Sequence, residues 1–353
     1  MHLSGVTKVT SRMSILGKRL AFERSRTGRH LAVSLVAAAS ALGAGAVART
    51  KSSRAENLFP PAGQFVEIDG VRLHYVEQGD GPPLVLLHGL GSMIEDFRLS
   101  GLMDQAAQRY RVIAFDRPGY GHSTRPRNVR WDPFAQAHLV RKALESLNVH
   151  RPVVLGHSWG SLVATALALE SPAAAQSVVL LSGLYFPSFR IDAPLLTAPA
   201  IPVLGTLMRH SFFPLLGRAL WPIWLKTIFA PDAVPDYFSR FPPWMILRPE
   251  TLRAMAEESA YLLPATLRLA PRLPRISVPV AIVAGASDRY VSARGHSGRL
   301  ARTLPSARLF LSQRGSHMVH HSDLPFVLEA VDMAASSGQR STPRATEAVI
   351  GPA

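Results

Sequence analysis

Short runs of apolar residues alternate with longer amphipathic segments along most of the chain. Continuous apolar runs are typical of strands buried on both faces, whereas an apolar residue every three or four positions is typical of helices. The helical spacing occupies residues 134–147, 161–170 and 326–335. The apolar runs occupy residues 84–87, 112–115, 153–155, 178–181, 280–284 and 307–311. This alternation predicts an α/β fold whose mostly parallel central sheet is covered by helices on both faces.

An Asp-Gly pair separates the first two extended segments. Residues 65–68 and 71–76 flank Asp69 and Gly70. Asp-Gly favours the tight turn that joins two antiparallel strands. The sequence therefore predicts a β-hairpin ahead of the parallel part of the sheet.

One long segment, residues 184–275, interrupts the alternation. It contains many prolines and apolar helical stretches, and no clear buried strand. We interpret it as a helical cap inserted into the core that residues 55–183 and 276–336 form. Trp221, Trp224 and Trp244 are expected to fill the interior of this cap, whose underside faces a pocket. The polar tail, residues 337–353, is expected to be disordered.

The N-terminal region, residues 1–54, contains a segment that suits a membrane. Residues 31–48 are 18 uncharged residues, preceded by seven Lys or Arg and followed closely by three. This charge bias predicts an N-in orientation, with the remainder of the chain outside the cytoplasm, on the periplasmic side if the source is bacterial. Three interpretations remain open: an uncleaved anchor, a signal peptide cleaved after Ala48 that gives a secreted protein, and a soluble helix hairpin packed on the domain. Residues 49–63 are expected to be a polar linker.

Charge and composition narrow the classes of partner. The 353 residues carry a formal net charge of +15, of which +9 belongs to residues 1–54. The remaining charge is that of an ordinary surface, and no nucleic-acid-binding motif accompanies it, so no nucleic-acid partner is expected. The chain contains no cysteine, which excludes disulfides, cysteine-ligated zinc and a thiol nucleophile. The sequence leaves the oligomeric state open.

The segment Gly156-His157-Ser158-Trp159-Gly160 lies between a predicted strand and a predicted helix. This is G-x-S-x-G in the strand–turn–helix context of a nucleophile elbow. Small flanking residues permit the sharp turn, and the serine hydroxyl then projects at the helix N-terminus. Ser158 is therefore the candidate nucleophile.

A serine nucleophile needs a base and an acid that orients the base. Asp288 follows the strand at 280–284, and His317 follows the strand at 307–311, in the chain order that this type of sheet uses. We therefore predict Asp288 as the acid and His317 as the base. Asp192 and Asp232 are weaker candidates for the acid. His320 and His321 are weaker candidates for the base, and a three-histidine metal site is disfavoured by their spacing.

Two backbone N–H groups are expected to form an oxyanion hole. Leu90 lies in the loop that follows the strand at 84–87, and Trp159 is the residue after the nucleophile. His88 and His157 are expected to be structural.

These motifs together resemble the α/β-hydrolase fold superfamily, in its cap-bearing branch of serine hydrolases. The resemblance covers roughly residues 64–336 and rests on the loop 88–91, the stretch 116–123, the elbow, Asp288 and the segment 315–317. Ser316 departs from the glycine that many relatives have there. Haloalkane dehalogenases and epoxide hydrolases resemble this chain too, but they use Asp where this chain has Ser158.

The resemblance implies hydrolysis of a carboxylic ester, or a similar acyl bond, through an acyl-enzyme intermediate. A small-molecule or lipid-like ester is the expected substrate, and neither a metal nor an organic cofactor is required. Carbon–carbon bond hydrolysis and cofactor-free perhydrolysis by the same fold remain alternatives. A catalytically inactive, membrane-tethered binding protein is the alternative of another class.

Overall fold

The structure is a computed structural model that describes residues 6–188, 193–338 and 348–350. The strands are β1 (Gln64–Ile68), β2 (Val71–Gln78), β3 (Pro83–Leu87), β4 (Arg111–Phe115), β5 (Val153–His157), β6 (Ser177–Leu181), β7 (Val280–Gly285), β8 (Ala307–Ser312) and β9 (Ala348–Ile350). The α-helices are α1 (Val6–Leu58), α2 (Ile94–Leu99), α3 (Leu102–Ala106), α4 (Pro133–Ser146), α5 (Trp159–Glu170), α6 (Ala193–Thr197), α7 (Leu204–Arg209), α8 (Phe213–Phe229), α9 (Pro243–Ile246), α10 (Pro249–Leu269), α11 (Arg299–Thr303), α12 (Val319–Ser322) and α13 (Leu324–Ser337).

The strands form one sheet in the order β1-β2-β4-β3-β5-β6-β7-β8-β9. Strand β2 pairs antiparallel with β1 and β4, and all other pairs are parallel. Asp69 and Gly70 join β1 to β2 with φ of 50° and 77°, as the predicted hairpin turn requires. The predicted α/β class with a mostly parallel sheet is confirmed.

Alternate residues of the central strands enter two separate hydrophobic cores. Val85 and Val154 pack with α4 and α5 on one face, whereas Leu86 and Leu155 pack with α3 and α13 on the other. Because successive side chains of a strand point to opposite faces, a strand covered on both sides must be apolar throughout. This burial explains why the central strands were visible as continuous apolar runs.

Between β6 and β7 the described residues contain helices, among them α6 to α10, joined by turns, and they contain no strand. Their own hydrophobic cluster contains Phe229, Phe238 and Met245, with Trp221, Trp224 and Trp244 packed against it. The described part of the segment 184–275 therefore has the helical character expected of a cap. Leu262 and Leu263 of this segment line a cavity with Ser158, which follows β5, so the segment lies beside the carboxyl end of that strand.

Helix α1 continues to Leu58, which corrects the prediction of a linker over residues 49–63. Residues 49–58 contain neither proline nor glycine, so nothing in them ends the helix before Pro60. Ala48, Ser52 and Ala55 recur at helical spacing and are buried, and α1 contacts α8 and α9 of the cap. The last turns of α1 are thus part of the folded domain.

The apolar part of α1 is exposed. Residues 32–58 are long and apolar enough to cross a membrane, and only 6 % of their most apolar window is buried. A signal sequence near an N-terminus has the same properties. The protein therefore has an N-terminal helix suited to a membrane anchor or a signal.

Most of the predicted disordered tail, residues 339–347 and 351–353, lies outside the described residues. Residues 348–350 form β9 and pair with β8, so the expectation of disorder is wrong for these three. The open edge of β8 offers unpaired backbone groups that an extended segment satisfies.

Candidate active site

Ser158 lies at the junction of β5 and α5, with φ 51° and ψ −112°. A side chain rarely adopts such a positive φ, and the surrounding structure must hold it. A Cβ on Gly156 would lie 2.3 Å from the carbonyl oxygen of Gly160, and a Cβ on Gly160 would lie 2.0 Å from that of Leu87. Only glycine fits at these two positions, which is the physical content of the G-x-S-x-G motif.

A chain of hydrogen bonds links Ser158 to two of the predicted residues. The Oγ of Ser158 lies 3.1 Å from Nε2 of His317, and Nδ1 of His317 lies 2.9 Å from Oδ2 of Asp288. The other carboxylate oxygen of Asp288 accepts hydrogen bonds of 2.8 Å from the backbone N–H groups of Tyr290 and Val291. The carboxylate is therefore fixed on both sides, and the imidazole is held between an acid and a hydroxyl.

The two weaker candidates for the acid do not share this position. Asp232 makes no hydrogen bond to His317, and its Oδ2 is buried without a hydrogen-bond partner. Asp192 lies outside the described residues. Asp288 is the carboxylate that contacts His317.

The predicted oxyanion hole lies beside Ser158. Leu90 and Trp159 line a cavity together with Ser158, and a Cβ on Gly89 would lie 3.2 Å from the Cβ of Ser158. Trp159 is the first residue of α5, so its N–H is one of the helix donors without a partner in the preceding turn. Both residues therefore border the same cavity as Ser158, and their role as an oxyanion hole stays a prediction.

Arg117 holds the loop that carries Leu90. Its guanidinium donates to the carbonyl oxygens of His88 and Gly89 at 2.7 and 2.9 Å, and to Glu258 of α10 at 2.5 Å. The side chains of Arg117 and Glu258 are 2 % and 0 % exposed. A buried ion pair therefore connects the loop to the cap. Sequence reasoning missed Glu258, because no local pattern relates it to Arg117.

Two further histidines support the backbone, as expected. His88 accepts a hydrogen bond from the N–H of Arg117 at 3.0 Å, and its Nδ1 lies 2.8 Å from the carbonyl oxygen of Gly89. Burial, followed by the charge of Arg117, lowers the pKa of His88 to about 3. The Nε2 of His157 lies 3.1 Å from the carbonyl oxygen of His317, and burial lowers the pKa of His157 well below its usual range. Both rings are neutral at physiological pH.

Asp96 joins His320 and His321 in a buried cluster that sequence reasoning also missed. One carboxylate oxygen of Asp96 lies 3.3 Å from Nε2 of His320, and the other lies 2.8 Å from Nε2 of His321. Burial raises the pKa of Asp96, but the two histidines outweigh it and hold the pKa well below its usual range. These distances suit ordinary hydrogen bonds, in which each imidazole donates to the carboxylate. His317 bonds to Asp288 instead, so the three histidines form no common site.

A cavity of about 600 Å³ opens onto Ser158. Its wall is mostly apolar and comes from both the core and the cap. The lining residues are Leu90, Ser158, Trp159, Leu184, Pro187, Ser188, Pro194, Leu196, Thr197, Ser259, Leu262, Leu263 and Tyr290. A smaller adjoining cavity of about 30 Å³ reaches Asp96 and His317. An apolar pocket with a few polar groups at one end suits a hydrophobic molecule with a single reactive group.

Comparison with known families identifies the fold. Residues 82–324 match the family described as alpha/beta hydrolase fold. The chain belongs to this family. Its predicted resemblance is thus confirmed, and the match contains the elbow, Asp288 and His317.

Relatives of this alpha/beta hydrolase have varied roles. The chain is 32 % identical over 261 residues to the magnesium-chelatase 30 kDa subunit of Rhodobacter capsulatus, which covers 68 % of this chain and 82 % of that protein. It is 26 % identical over 160 residues to haloalkane dehalogenase 2 of Mycobacterium tuberculosis, covering 44 % of this chain and 54 % of the relative. The chain therefore spans only about half the length of the second relative.

Solved structures share the fold of this alpha/beta hydrolase at low sequence identity. A bacterial membrane phospholipase A has a TM-score of 0.60 and 20 % identity, covering 90 % of this chain and 100 % of that chain. A meta-cleavage product hydrolase from Pseudomonas fluorescens has a TM-score of 0.63 and 20 % identity, covering 78 % and 98 %. At this identity the likeness concerns the fold alone.

Proposed function

We propose that the protein is a serine hydrolase that cleaves carboxylic esters, with Ser158 as nucleophile, His317 as base and Asp288 as the orienting acid. The observation that carries the proposal is the hydrogen-bonded chain from Ser158 through His317 to Asp288. A serine hydroxyl becomes nucleophilic when a neighbouring base accepts its proton. An aspartate nucleophile, used for alkyl-enzyme chemistry, is absent from the elbow of this chain.

The proposed reaction follows from the order in which Ser158, His317 and Asp288 contact one another. Oγ of Ser158 attacks the ester carbonyl while its proton passes to Nε2 of His317. Asp288 accepts the Nδ1–H of His317 and stabilises the imidazolium. His317 then protonates the departing alcohol, and the acyl group remains on Ser158. His317 next removes a proton from water, which attacks the acyl-enzyme and releases the carboxylic acid.

The backbone N–H groups of Leu90 and Trp159 stabilise the negative oxygen of the tetrahedral intermediates. Loss of one such donor costs ~100- to 1000-fold in rate. A Leu90→Ala substitution is expected to retain the donor, since the N–H belongs to the backbone. Apart from the ester and water, every group in this sequence of steps is a side chain or backbone group of the chain itself, so the proposed chemistry needs no cofactor.

The apolar wall of the 600 Å³ cavity favours esters with a medium-length or lipid-like acyl chain.

We place the enzyme at a membrane, with α1 as an N-in anchor and the hydrolase domain outside the cytoplasm, because basic residues dominate the N-terminal flank. Cleavage after Ala48 is the competing outcome. N-terminal sequencing of the purified protein distinguishes them, since a mature chain beginning at Arg49 would contradict the anchor.

The test of catalysis is hydrolysis of a series of p-nitrophenyl esters by the full chain and its Ser158→Ala variant. Wild type is expected to show turnover that Ser158→Ala lacks. Ser177→Ala is the matched control, because Ser177 is also buried but lies at the amino end of β6, whereas Ser158 follows the carboxyl end of β5. Equal turnover in wild type and Ser158→Ala would refute the assignment.

The two alternative reactions of the same fold are tested with other substrates. Diketone-type substrates test carbon–carbon hydrolysis, and hydrogen peroxide with a short carboxylic acid tests perhydrolysis.

A second candidate is a non-catalytic role as a binding or assembly protein. The 32 % identity to a magnesium-chelatase subunit favours it, since a subunit of a larger assembly can use the fold without its chemistry. Labelling with a fluorophosphonate separates the two. If the protein is a hydrolase, the wild type is expected to be labelled at Ser158 and the Ser158→Ala variant is expected to stay unlabelled. An unlabelled wild type would support the binding role.

A further inference from the structure

The cap presents an unusual outer surface, which we name the apolar cap face. Six large hydrophobic side chains of α7, α8 and the turn between them are exposed: Leu204, Leu207, Phe212, Leu216, Leu220 and Ile223. Leu207 and Ile223 are 64 % and 63 % exposed. Single exposed hydrophobic residues are common, but a group along consecutive helices marks a surface that contacts another apolar phase.

The charges on this surface are of one sign. Residues 193–231 contain no aspartate or glutamate. Arg218 and Lys226 are exposed on α8, the helix that carries half of the apolar cap face. Apolar side chains accompanied by basic ones, without acidic ones, are typical of helices that lie in the surface of an anionic bilayer. A protein partner would need a matching acidic and apolar surface, whereas an anionic lipid layer supplies both properties at once.

The position of α1 relates this face to the membrane. A Cβ on Gly45 would lie 2.2 Å from the carbonyl oxygen of His210, so α1 and the turn between α7 and α8 touch at this point. Gly45 is within the apolar stretch of residues 31–48, about 6 Å along the helix from Arg49. When that stretch enters a bilayer, the α7–α8 turn reaches the same depth. Phe212, two residues after His210, then lies at the membrane boundary.

The cavity wall is formed in part by α6 and α10, and α10 contacts α7 of the apolar cap face. Helix α6 supplies Pro194, Leu196 and Thr197 to the cavity wall and leads along the chain into α7. Leu263 of α10 lines the cavity and is also 50 % exposed. Leu263 thus belongs both to the cavity wall and to the outer surface of the cap.

We infer that the apolar cap face lies in the surface of an anionic lipid bilayer, beside the point where α1 enters it. The cavity mouth then faces the lipid phase, and hydrophobic esters dissolved in the bilayer reach Ser158 without crossing water. This last consequence rests on the proposed ester hydrolysis, whereas the seating of the cap on the bilayer does not. Membrane seating therefore has a test of its own.

The absence of cysteine makes that test direct, because a single introduced cysteine takes a spin label at one position only. The full chain carrying Leu207→Cys is labelled and reconstituted in vesicles of phosphatidylglycerol and phosphatidylethanolamine. Ser306→Cys is the control, since Ser306 is exposed just before the amino end of β8, whereas Ser158 follows the carboxyl end of β5. The label at position 207 is expected to collide with lipid-soluble oxygen and to be shielded from a water-soluble nickel complex, and the label at 306 is expected to show the reverse.

Two results would overturn the inference. Equal access of the nickel complex to positions 207 and 306 would show that α1 alone holds the protein at the membrane. Dipolar broadening at position 207 without oxygen contact would show that a second copy of the chain covers the face. Replacing phosphatidylglycerol by phosphatidylcholine is expected to reduce the lipid contact, because Arg218 and Lys226 then lose their anionic partners.

A functional arm compares an ester embedded in the vesicles with a soluble p-nitrophenyl ester. The double variant Leu204→Glu/Leu207→Glu is expected to hydrolyse the embedded ester about tenfold more slowly or worse, since inserted apolar area sets the strength of interfacial binding. Its rate on the soluble ester is expected to be unchanged. The control Gln108→Glu/Ser306→Glu adds the same charge at two exposed positions that precede the amino ends of β4 and β8. Wild type that cleaves neither ester would refute the proposed function, while the spin labels still decide the seating.

Discussion

Backbone geometry at single residues determines what the side chains at the site can do. The positive φ of Ser158 directs its hydroxyl away from the sheet, and Gly156 and Gly160 leave the space that this conformation needs. Asp288 is fixed by two backbone N–H groups before it meets His317. The acid therefore orients the imidazole without having to reorganise, which is the condition for efficient proton transfer.

Asp288→Asn is expected to lower kcat by about 10⁴-fold, because the amide favours the wrong tautomer of His317. Initial rates on a soluble ester measure the loss. Asp232→Asn is the matched control, since His317 bonds to Asp288 and not to Asp232. Comparable losses in both variants would contradict the assignment of the acid.

The neutral ring of His88 makes stability depend on pH. Its pKa is about 3 in the folded state, against 6.5 as the ordinary value. Below pH 6.5 the unfolded chain therefore binds a proton that the folded chain does not, and stability falls with decreasing pH until about pH 3. His88→Asn is expected to reduce the slope of unfolding free energy between pH 6 and 4.5 by about 1.4 kcal/mol per pH unit. Urea unfolding at several pH values tests this, and identical slopes would contradict it.

At the scale of elements, the sequence pattern predicts the strands and the residues that follow them, but it does not predict contacts between distant segments. The central strands could be predicted because burial on both faces leaves an apolar run, and the elbow, Asp288 and His317 could be predicted because each follows such a run. Glu258 and Asp96 could not, since their partners Arg117, His320 and His321 come near only when distant segments pack. The extension of α1 to Leu58 was also missed, because its polar sequence gave little sign of the narrow buried face.

Glu258→Gln is expected to destabilise the fold by about 3 kcal/mol, because it leaves the buried guanidinium of Arg117 without its countercharge. Equilibrium unfolding in urea measures the change. Lys142→Met breaks the exposed pair with Asp69, and it is expected to cost less than about 1 kcal/mol. A similar small effect in both variants would show that the Arg117–Glu258 pair does not stabilise the loop and cap.

At the scale of the whole molecule, α1 is both an apolar helix and a structural part of the domain. Ala55 packs in the cluster that contains Met93 and Met318 from the core and Phe229 and Met245 from the cap. This cluster connects the end of α1 to the residue that follows His317. Removal of α1 is therefore expected to lower the stability of this cluster, which includes the residue that follows His317.

A chain truncated to residues 60–353 is expected to be about 2 kcal/mol less stable than residues 46–353, because it uncovers the apolar surface under Ala48 and Ala55. Chemical unfolding of the two chains gives the difference. In the full chain, Ala55→Asp is expected to destabilise in the same direction, whereas Asn57→Asp at an exposed neighbouring position is not. Equal stability of the two truncated chains would show that the packing of α1 contributes nothing.

The insertion between β6 and β7 makes the enzyme suitable for directed evolution. Ser158, Asp288 and His317 all lie outside it, while Leu196, Leu262 and Leu263 inside it form part of the cavity wall. A library of variants confined to these wall positions changes the shape of the cavity, and thus the substrates that fit it, while Ser158, Asp288 and His317 stay unchanged. Glu258 is the position in α10 that such a library has to leave untouched, because it holds the loop of Leu90 through Arg117.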